Sequence, residues 1–455
     1  MSGLLRAVTG IAVIKLFVLP AAALQAGETA DKLPEPLTLE YALKLADEQT
    51  PELQRYQSDI DNAQADLRAA ESLSGFKSSI EAQARWVEPA DVVVGLGNED
   101  HRYGITAKQN LYDFGRSSAA ENAAQHRLAA GQLRYISARQ RRRIEIMRRY
   151  FDVMLADLQF YRYNEEMAVA YIAMDRTRER RKLGQASDLE VLEKEVENQR
   201  IRHLRYQSQN EQRRARALLA QALNRPDQLS NTLTKPELPL LDRKLDEVEN
   251  YQKQALDNNP LLKALQREVA AAEQSVTEAR ARYSPSLQGQ AEAWSYTREL
   301  GSSDKWRAGV TLEIPLTTGG ESDAQIARAR ARLYQARAAL RERQFALQQA
   351  VLETWLDLEN LRIKLDGMRA NAQYRELYLD RSRALYEMEI KTDLGDAMVR
   401  VSEAERNLRE TEYNIAVGWA RLEALTGQMQ LDPSVTPTPV STPTQTQTST
   451  PGASP

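Results

Sequence analysis

The sequence contains no cysteine, which excludes disulfides, thiolate metal ligands, thiol nucleophiles and a lipid attached to an N-terminal cysteine. Glycine and proline are scarce, with 20 and 17 residues among 455, and a chain rich in alanine, leucine, arginine and glutamate instead favours long helices. The net charge of −3 provides no overall basic field for nucleic acid. Beyond residue 30 no apolar run reaches the ~18 residues that a membrane-spanning helix needs.

Signals for chemistry are also absent. The three histidines, His101, His126 and His203, are far apart and lack the spacing of metal ligands. No nucleophile, base and orienting group occur together, and the basic run at 139–149 indicates a solvated helix surface rather than a nucleic-acid site. The sequence therefore predicts no catalytic, cofactor or metal site, and no nucleic acid among the partners.

The N-terminus is typical of a secretory signal peptide, predicted over residues 1–26. Arg6 and Lys15 precede the apolar stretch LFVLPAAAL, and small residues suit cleavage after Ala23 or Ala26. A membrane anchor is the weaker alternative, because Lys15 and Pro20 interrupt the apolar segment. The mature chain is thus expected to leave the cytoplasm.

The sequence contains an internal duplication. Gly104 aligns with Gly309 at an offset of 205 residues, and the same offset holds without a gap from there to Phe160 and Leu365. We predict a first repeat at 27–224, a linker at 225–244, a second repeat at 245–427 and a disordered Pro/Thr/Ser-rich tail at 433–455.

Each repeat predicts a helix, a β-hairpin, a long helix, a break and a second helix. The predicted segments are 38–73, the hairpin 76–113, 117–183 and 188–224 in the first repeat, and 246–282, the hairpin 284–316, 322–388 and 393–427 in the second. A helix of ~67 residues is roughly 100 Å long and must pack beside partners. Leucine or isoleucine every seventh residue from Ile326 to Leu347, alternating with alanine, provides such a seam. The fold class is therefore mainly α with a small β part, built as long antiparallel coiled-coil helices.

The strands favour a transmembrane barrel over a half-buried soluble hairpin. WRAGVTLEIPL alternates apolar and polar residues from Trp306 to Leu316. A length of about 10 residues suits a tilted strand that spans a bilayer. Aromatic residues near the strand ends are expected at the membrane interface: Phe76, Trp86, Tyr103, Tyr112, Tyr283, Trp294 and Trp306. Since four strands cannot close a barrel and open edges cannot face lipid, oligomerisation and a helical conduit follow.

Several stretches resemble the TolC family of outer membrane efflux and secretion channels. They are LTLEYALKLADEQTPEL (37–53), QALDNNPLL (254–262), YSPSL (283–287), ITAKQNLYDFGR (105–116), VTLEIPLTTGGE (310–321) and KLGQASDLEVL (182–192). The resemblance covers essentially the whole mature chain to Gly427. It implies a homotrimer with a 12-stranded barrel in the outer membrane of a Gram-negative bacterium and a 12-helix periplasmic tunnel. It also implies a periplasmic membrane-fusion adaptor and an inner-membrane pump or ABC exporter as partners.

The resemblance further implies that both helix breaks are turns at the periplasmic tip, where the adaptor docks and the tunnel closes. The candidate tip residues are Gly184, Ser187, Asp188, Glu190, Glu389, Lys391, Thr392, Asp393 and Asp396. Ser187 and Thr392 are expected to cap the returning helices. Where the first turn has Gly184 the second has Glu389, which departs from the family pattern. We hypothesise that Asp393 and Asp396 form acidic rings with Lys391 available for closing salt bridges; the alternative is that they are solvated helix-end charges.

The sequence thus predicts an exit duct for type I protein secretion, with multidrug or toxic-compound efflux as the alternative. A periplasmic coiled-coil scaffold without a pore is the alternative from another class.

Overall fold

The computed structural model describes residues 32–88, 98–297, 304–388, 390, 393–429 and 431. The predicted signal peptide, the predicted tail, and the tip residues Glu389, Lys391 and Thr392 lie outside these residues. The helices are α1 Leu39–Lys44, α2 Pro51–Glu71, α3 Arg116–Lys182, α4 Asp188–Ala222, α5 Val248–Asn258, α6 Pro260–Ala281, α7 Glu321–Glu387 and α8 Leu394–Leu425. The strands are β1 Lys77–Gln83, β2 Arg102–Tyr112, β3 Ser286–Tyr296 and β4 Trp306–Glu313.

The internal duplication is visible in the two long helices. Both α3 and α7 have 67 residues, and α7 begins and ends 205 residues after α3. The mainly helical architecture with four strands agrees with the predicted fold class. Across the described parts of the chain, no helix combines the length and apolarity that crossing a membrane requires.

Two predicted helices are wrong as continuous elements. The segment 38–73 divides into α1, a short 3-10 turn Leu45–Asp47 and α2, because Thr50 caps α2 and Pro51 occupies its first turn. The segment 246–282 divides at Asn259, whose side chain caps α6 ahead of Pro260. Proline lacks the N–H that an uninterrupted helix needs, so each helix ends before its proline.

The helices form one layer around α3 and α7. Near the sheet the neighbours run α2, α3, α6, α7, and farther away they run α4, α3, α8, α7. The helices α2 and α4 are joined end to end by the 2.7 Å ion pair of Arg225 with Glu48. On the other side of α3, the Asn259 side chain donates to the Leu425 carbonyl at 3.0 Å and joins α6 to α8. The layer is therefore continuous along both long helices.

The largest core lies where α1 and the linker at 225–244 cover α3. It contains Ile146, Tyr150 and Phe151, with Phe151 stacked on Tyr413 of α8 at 4.4 Å between ring centroids. A second core around Trp419 and Leu358 joins α5, α7 and α8 and uses the predicted seam at Leu347. These cores fix the middle of the helical layer.

Tyr150→Phe is expected to lower the free energy of unfolding by about 1–2 kcal/mol, because the phenol hydroxyl is the buried link between α3 and two chain segments. Its oxygen lies 2.9 Å from the Leu37 carbonyl oxygen and 2.5 Å from that of Thr234. Burial raises the pKa of Tyr150 to about 12, so the hydroxyl stays protonated as a donor. Thermal unfolding in detergent checks this, with the exposed Tyr161→Phe as control; equal melting temperatures for both variants would contradict it.

Candidate channel wall and helical tip

The four strands form one antiparallel sheet in the order β1-β2-β3-β4. The register places Ile80 beside Ile105, Ile105 beside Ala293, and Ala293 beside Trp306. The neighbouring row contains Ser79, Thr106, Glu292 and Arg307. Alternate rows are thus apolar and polar, which gives the sheet two chemically distinct faces.

The apolar face is open to the surroundings of the chain. Ile80 is 80% exposed and Trp306 is 75% exposed. Its other exposed members are Ile105, Val310 and Leu312, followed beyond β4 by Ile314 and Leu316. A contiguous exposed apolar surface of this size marks contact with a membrane or a partner. The face predicted for 306–316 is the one observed.

The polar face carries a hydrogen-bonded network. The Ser79 and Thr106 hydroxyl oxygens lie 2.7 Å apart. The Glu292 carboxylate accepts from the Trp294 indole N–H at 2.8 Å and from the Arg307 guanidinium at 3.2 Å. Polar groups paired across strands suit a face turned towards water rather than lipid.

The predicted interface aromatics fall at two levels of the sheet. Trp86, Tyr103, Trp294 and Trp306 lie at the end next to the hairpin loops, and Phe76, Tyr112 and Tyr283 lie at the end next to the helices. From Tyr103 to Tyr112 nine residue steps span about 30 Å, or roughly 20–25 Å when the strand is tilted by ~45°. That separation matches the ~25 Å apolar band of outer membrane barrels.

Trp294 lies on a different face of the sheet from Trp306. It pairs with Gly104 and therefore points to the polar face, where its indole binds Glu292 and the Arg102 guanidinium lies 5.2 Å from its ring centroid. Tyr112 shows the opposite effect. A bulge between Asn110 and Tyr112 shifts the register so that Tyr112 pairs with Leu287, which belongs to the apolar face.

The sheet joins the helical wall through a polar corner. Asp113 accepts from the Ser117 backbone N–H at 3.0 Å and from the Asn110 side-chain amide at 2.8 Å, so its carboxylate caps the start of α3. Burial alone would raise the pKa of the Asp113 carboxyl, but these hydrogen bonds and the nearby Arg116 lower it overall. The sequence analysis did not single out this cap, although Asp113 two residues before Gly115 was a signal.

The first tip turn is a tight helical reversal. Gly184 adopts φ 71°, the Gln185 N–H donates to the Arg180 carbonyl at 2.8 Å, and the Gly184 N–H donates to the Arg181 carbonyl at 2.9 Å. These two bonds define a Schellman motif. At the start of α4, Ser187 and Glu190 form the predicted capping box, with both hydrogen bonds at 3.2 Å. Asp188 forms an ion pair with Arg181 across the turn.

Ser187→Ala is expected to loosen the first turn of α4 by about 1 kcal/mol, because it removes one of the two capping hydrogen bonds. Amide hydrogen exchange of residues 188–191 is the measurement, and faster exchange confined to that turn is the expected result. Ser187→Asp keeps an N-cap acceptor and is the matched control. Unchanged exchange in the alanine variant would contradict the role of the cap.

The second tip turn keeps the main bond of the first. The Ile390 N–H donates to the Leu385 carbonyl at 3.0 Å, and both residues lie 205 positions after Gln185 and Arg180. The helix α8 begins at Leu394, with Asp393 at the N-cap position without a side-chain capping bond. The predicted cap Thr392 lies outside the described residues.

The two candidate ring aspartates differ in their surroundings. Asp393 is half-buried and accepts from the Tyr378 hydroxyl at 2.9 Å. Asp396 is exposed and lies 3.7 Å from the Arg400 guanidinium, four residues along α8. Among the described residues, no group of three or more potential ligands is placed to hold a metal ion.

The model of the outer membrane efflux protein family matches residues 252–428. Protein CyaE of Bordetella pertussis is 28% identical over 278 residues, which cover 59% of this chain and 58% of CyaE. The chain therefore aligns with little more than half the length of this relative.

Solved structures match the fold over a longer range. The outer membrane protein VceC of Vibrio cholerae superposes with a TM-score of 0.70 at 18% identity, covering 86% of this chain and 96% of VceC. A membrane protein from Pseudomonas aeruginosa superposes with a TM-score of 0.70 at 19% identity, covering 86% and 90%.

These matches agree with the two-faced sheet and the long helical layer. Residues 252–428 therefore match the model of the outer membrane efflux protein family, and over 86% of its length the chain has the fold of solved outer membrane proteins such as VceC.

Proposed function

We propose that three copies of this chain form an outer membrane exit duct for a tripartite export system. The observation that carries the proposal is the direct continuity between the exposed apolar sheet and the layer of α3 and α7. The apolar face of the sheet suits lipid, and the long helices extend roughly 100 Å away from the sheet.

The trimer follows from the sheet edges. Among the described residues, each outer strand, β1 and β4, pairs on one side only. An unpaired edge is costly in lipid because no water satisfies its N–H and C=O groups. Edge-to-edge pairing of three copies closes a 12-stranded barrel and brings 12 helical positions into one tunnel.

Type I protein secretion is the proposed task. The given sequence contains no cysteine that could carry a lipid, which mildly disfavours the lipoprotein branch of drug-efflux channels. Efflux of drugs or other toxic compounds is the second candidate, favoured by the family model over 252–428. A pore-free periplasmic scaffold is disfavoured by the exposed Ile80, Val310 and Trp306.

Deletion of the gene in the native host separates the two cargo classes. Loss of one secreted protein with unchanged sensitivity to dyes, detergents and antibiotics supports secretion. Hypersensitivity with an intact secretome supports efflux. If salt extracts the protein from membranes and no heat-modifiable oligomer is found, the result supports the pore-free scaffold and contradicts the duct.

The tip is proposed as the adaptor-docking and gating end. The two turns share the bond from Gln185 to Arg180 and its counterpart from Ile390 to Leu385, so they form similar reversals at one end of the layer. Asp393 and Asp396 are proposed as acidic rings at this end, with Lys391 available for closing salt bridges. The double variant Asp393→Ala/Asp396→Ala should reduce cation selectivity in planar bilayers; unchanged selectivity and resting conductance would discard the rings.

A further inference from the structure

One face of the helical layer carries an unbalanced basic groove. It consists of three adjoining cavities of about 460, 280 and 910 Å³ between α2, α3, α6, α7 and α8. Ten arginines and five carboxylates line these cavities, which leaves five positive charges in excess in a chain whose net charge is −3. The groove is therefore a local feature that overall composition conceals.

The arginines of α3 form a straight line. Arg127, Arg134, Arg141 and Arg148 recur every seven residues, so they fall on nearly the same side of the helix. The opposite side of α3 packs on α1 and its 3-10 turn through Arg139 and Ile146, which lie about 200° around the helix from Arg141 and Arg148. The groove thus faces away from the covering segments and, in the proposed duct, towards the lumen.

Few of these charges are neutralised. Within the described part of the chain, Arg134 is the only groove arginine with a carboxylate within 4.0 Å, that of Glu268. Arg127 donates to the Ser275 hydroxyl at 2.8 Å and Arg141 to the Tyr56 hydroxyl at 2.7 Å. By contrast, Arg406 and Arg409 of α8 both pair with glutamates on their own helix. The groove charges are therefore available to an anionic partner.

The shape of the groove favours an extended chain over a small anion. From Arg127 to Arg148 the line is about 32 Å long, which equals some 10 residues of extended polypeptide at ~3.3 Å each. A small anion site needs donors that converge on one point, whereas these guanidiniums are spaced along a line. Spaced charges match successive carboxylates of an acidic peptide.

We propose that the basic groove binds extended, acidic segments of the exported polypeptide during transit. This inference rests on the proposed function as a secretion duct and names the chemical class of its cargo. The attraction is electrostatic and should weaken as salt screens it.

Binding of a labelled 10-residue polyglutamate peptide to the detergent-purified full-length protein tests the groove. Arg55→Gln/Arg148→Gln/Arg421→Gln removes three exposed groove charges that have no carboxylate within 4.0 Å among the described residues. The expected result is a loss of affinity of about tenfold or more, together with a steep salt dependence in the wild type. The same residues changed to lysine keep the charge and should stay within about threefold.

Two further measurements distinguish the possible failures. Arg202→Gln/Arg213→Gln/Arg214→Gln removes three exposed charges from α4, which does not line the groove, and should leave affinity unchanged. In planar bilayers, polyglutamate should block the wild-type channel and block the groove variant less. If the wild type and the groove variant both conduct and polyglutamate blocks them equally, the groove inference is wrong and the duct proposal stands. A wild-type protein that forms no channel overturns the duct and the inference with it.

Discussion

Gly104→Ala should prevent correct formation of the sheet, whereas Gly309→Ala should be tolerated. A Cβ added at Gly104 would lie 2.4 Å from the Ala293 carbonyl oxygen and 2.6 Å from the Trp294 ring. A Cβ at Gly309, the equivalent position of the second repeat, has no atom of the described residues within 4 Å. Overpacking costs about 1–3 kcal/mol when neighbours can adjust, and the cost is greater here because a backbone carbonyl paired in the ladder cannot move away.

The matched pair is measured by the amount of heat-modifiable oligomer in the outer membrane fraction. Gly104→Ala should lose most of that species, while Gly309→Ala should resemble the wild type, because alanine fits a strand at least as well as glycine when space is available. Similar amounts for the two variants would show that β2 and β3 do not approach as closely as the register of Gly104 and Trp294 requires.

The two faces of the sheet could be predicted from sequence, but the orientation of every aromatic could not. Alternation from Trp306 to Leu316 is a local signal, and it identified the apolar face. The orientation of Trp294 depends on its parity relative to Gly104 and Glu292, and the bulge at Asn110 reverses the parity of Tyr112. A single bulge moves every later side chain to the other face, and an isolated strand pattern does not locate bulges.

The long helices were predictable because the two repeats align at an offset of 205 residues, so that the bounds of one long helix predict those of the other. The breaks at Thr50 and Asn259 were visible as N-cap residues followed by proline, yet the surrounding helical composition obscured them. At the tip, Gly184 predicted the first turn. The second turn has the equivalent Ile390 to Leu385 bond, although the residue that corresponds to Gly184 in the sequence is Glu389.

The basic groove illustrates a different limit. The seven-residue spacing of Arg127, Arg134, Arg141 and Arg148 can be read from the sequence, but whether such charges are paired depends on neighbouring helices. Arg139 lies among them in the chain and is buried against Asp47, while Arg141 faces the groove. In the sequence, Arg139 and Arg141 belong to one basic run. Only the packing of α1 and its 3-10 turn on α3 shows that Arg139 is structural and that Arg141 is available to cargo.

Asp47→Ala is accordingly expected to lower the free energy of unfolding by about 3–5 kcal/mol, because it leaves a buried guanidinium without its counter-ion. The Arg139 side chain is 5% exposed and that of Asp47 is 11% exposed, and the closest N···O distance between them is 2.7 Å. The Arg139 Nε also donates to the same carboxylate oxygen at 2.9 Å. This pair fixes the 3-10 turn before α2 to the middle of α3.

The double variant Asp47→Ala/Arg139→Leu distinguishes the lost attraction from the stranded charge. Replacing both members of a buried pair by apolar groups is often close to neutral, so the second substitution should recover most of the lost melting temperature in detergent. Glu179→Ala, which breaks the exposed 2.6 Å pair with Lys182, is the control and should cost less than about 0.5 kcal/mol. If the single and double variants melted together below the wild type, packing around the turn would be responsible. If Asp47→Ala had the same melting temperature as Glu179→Ala, the Asp47–Arg139 pair would not stabilise the junction of α1 with α3.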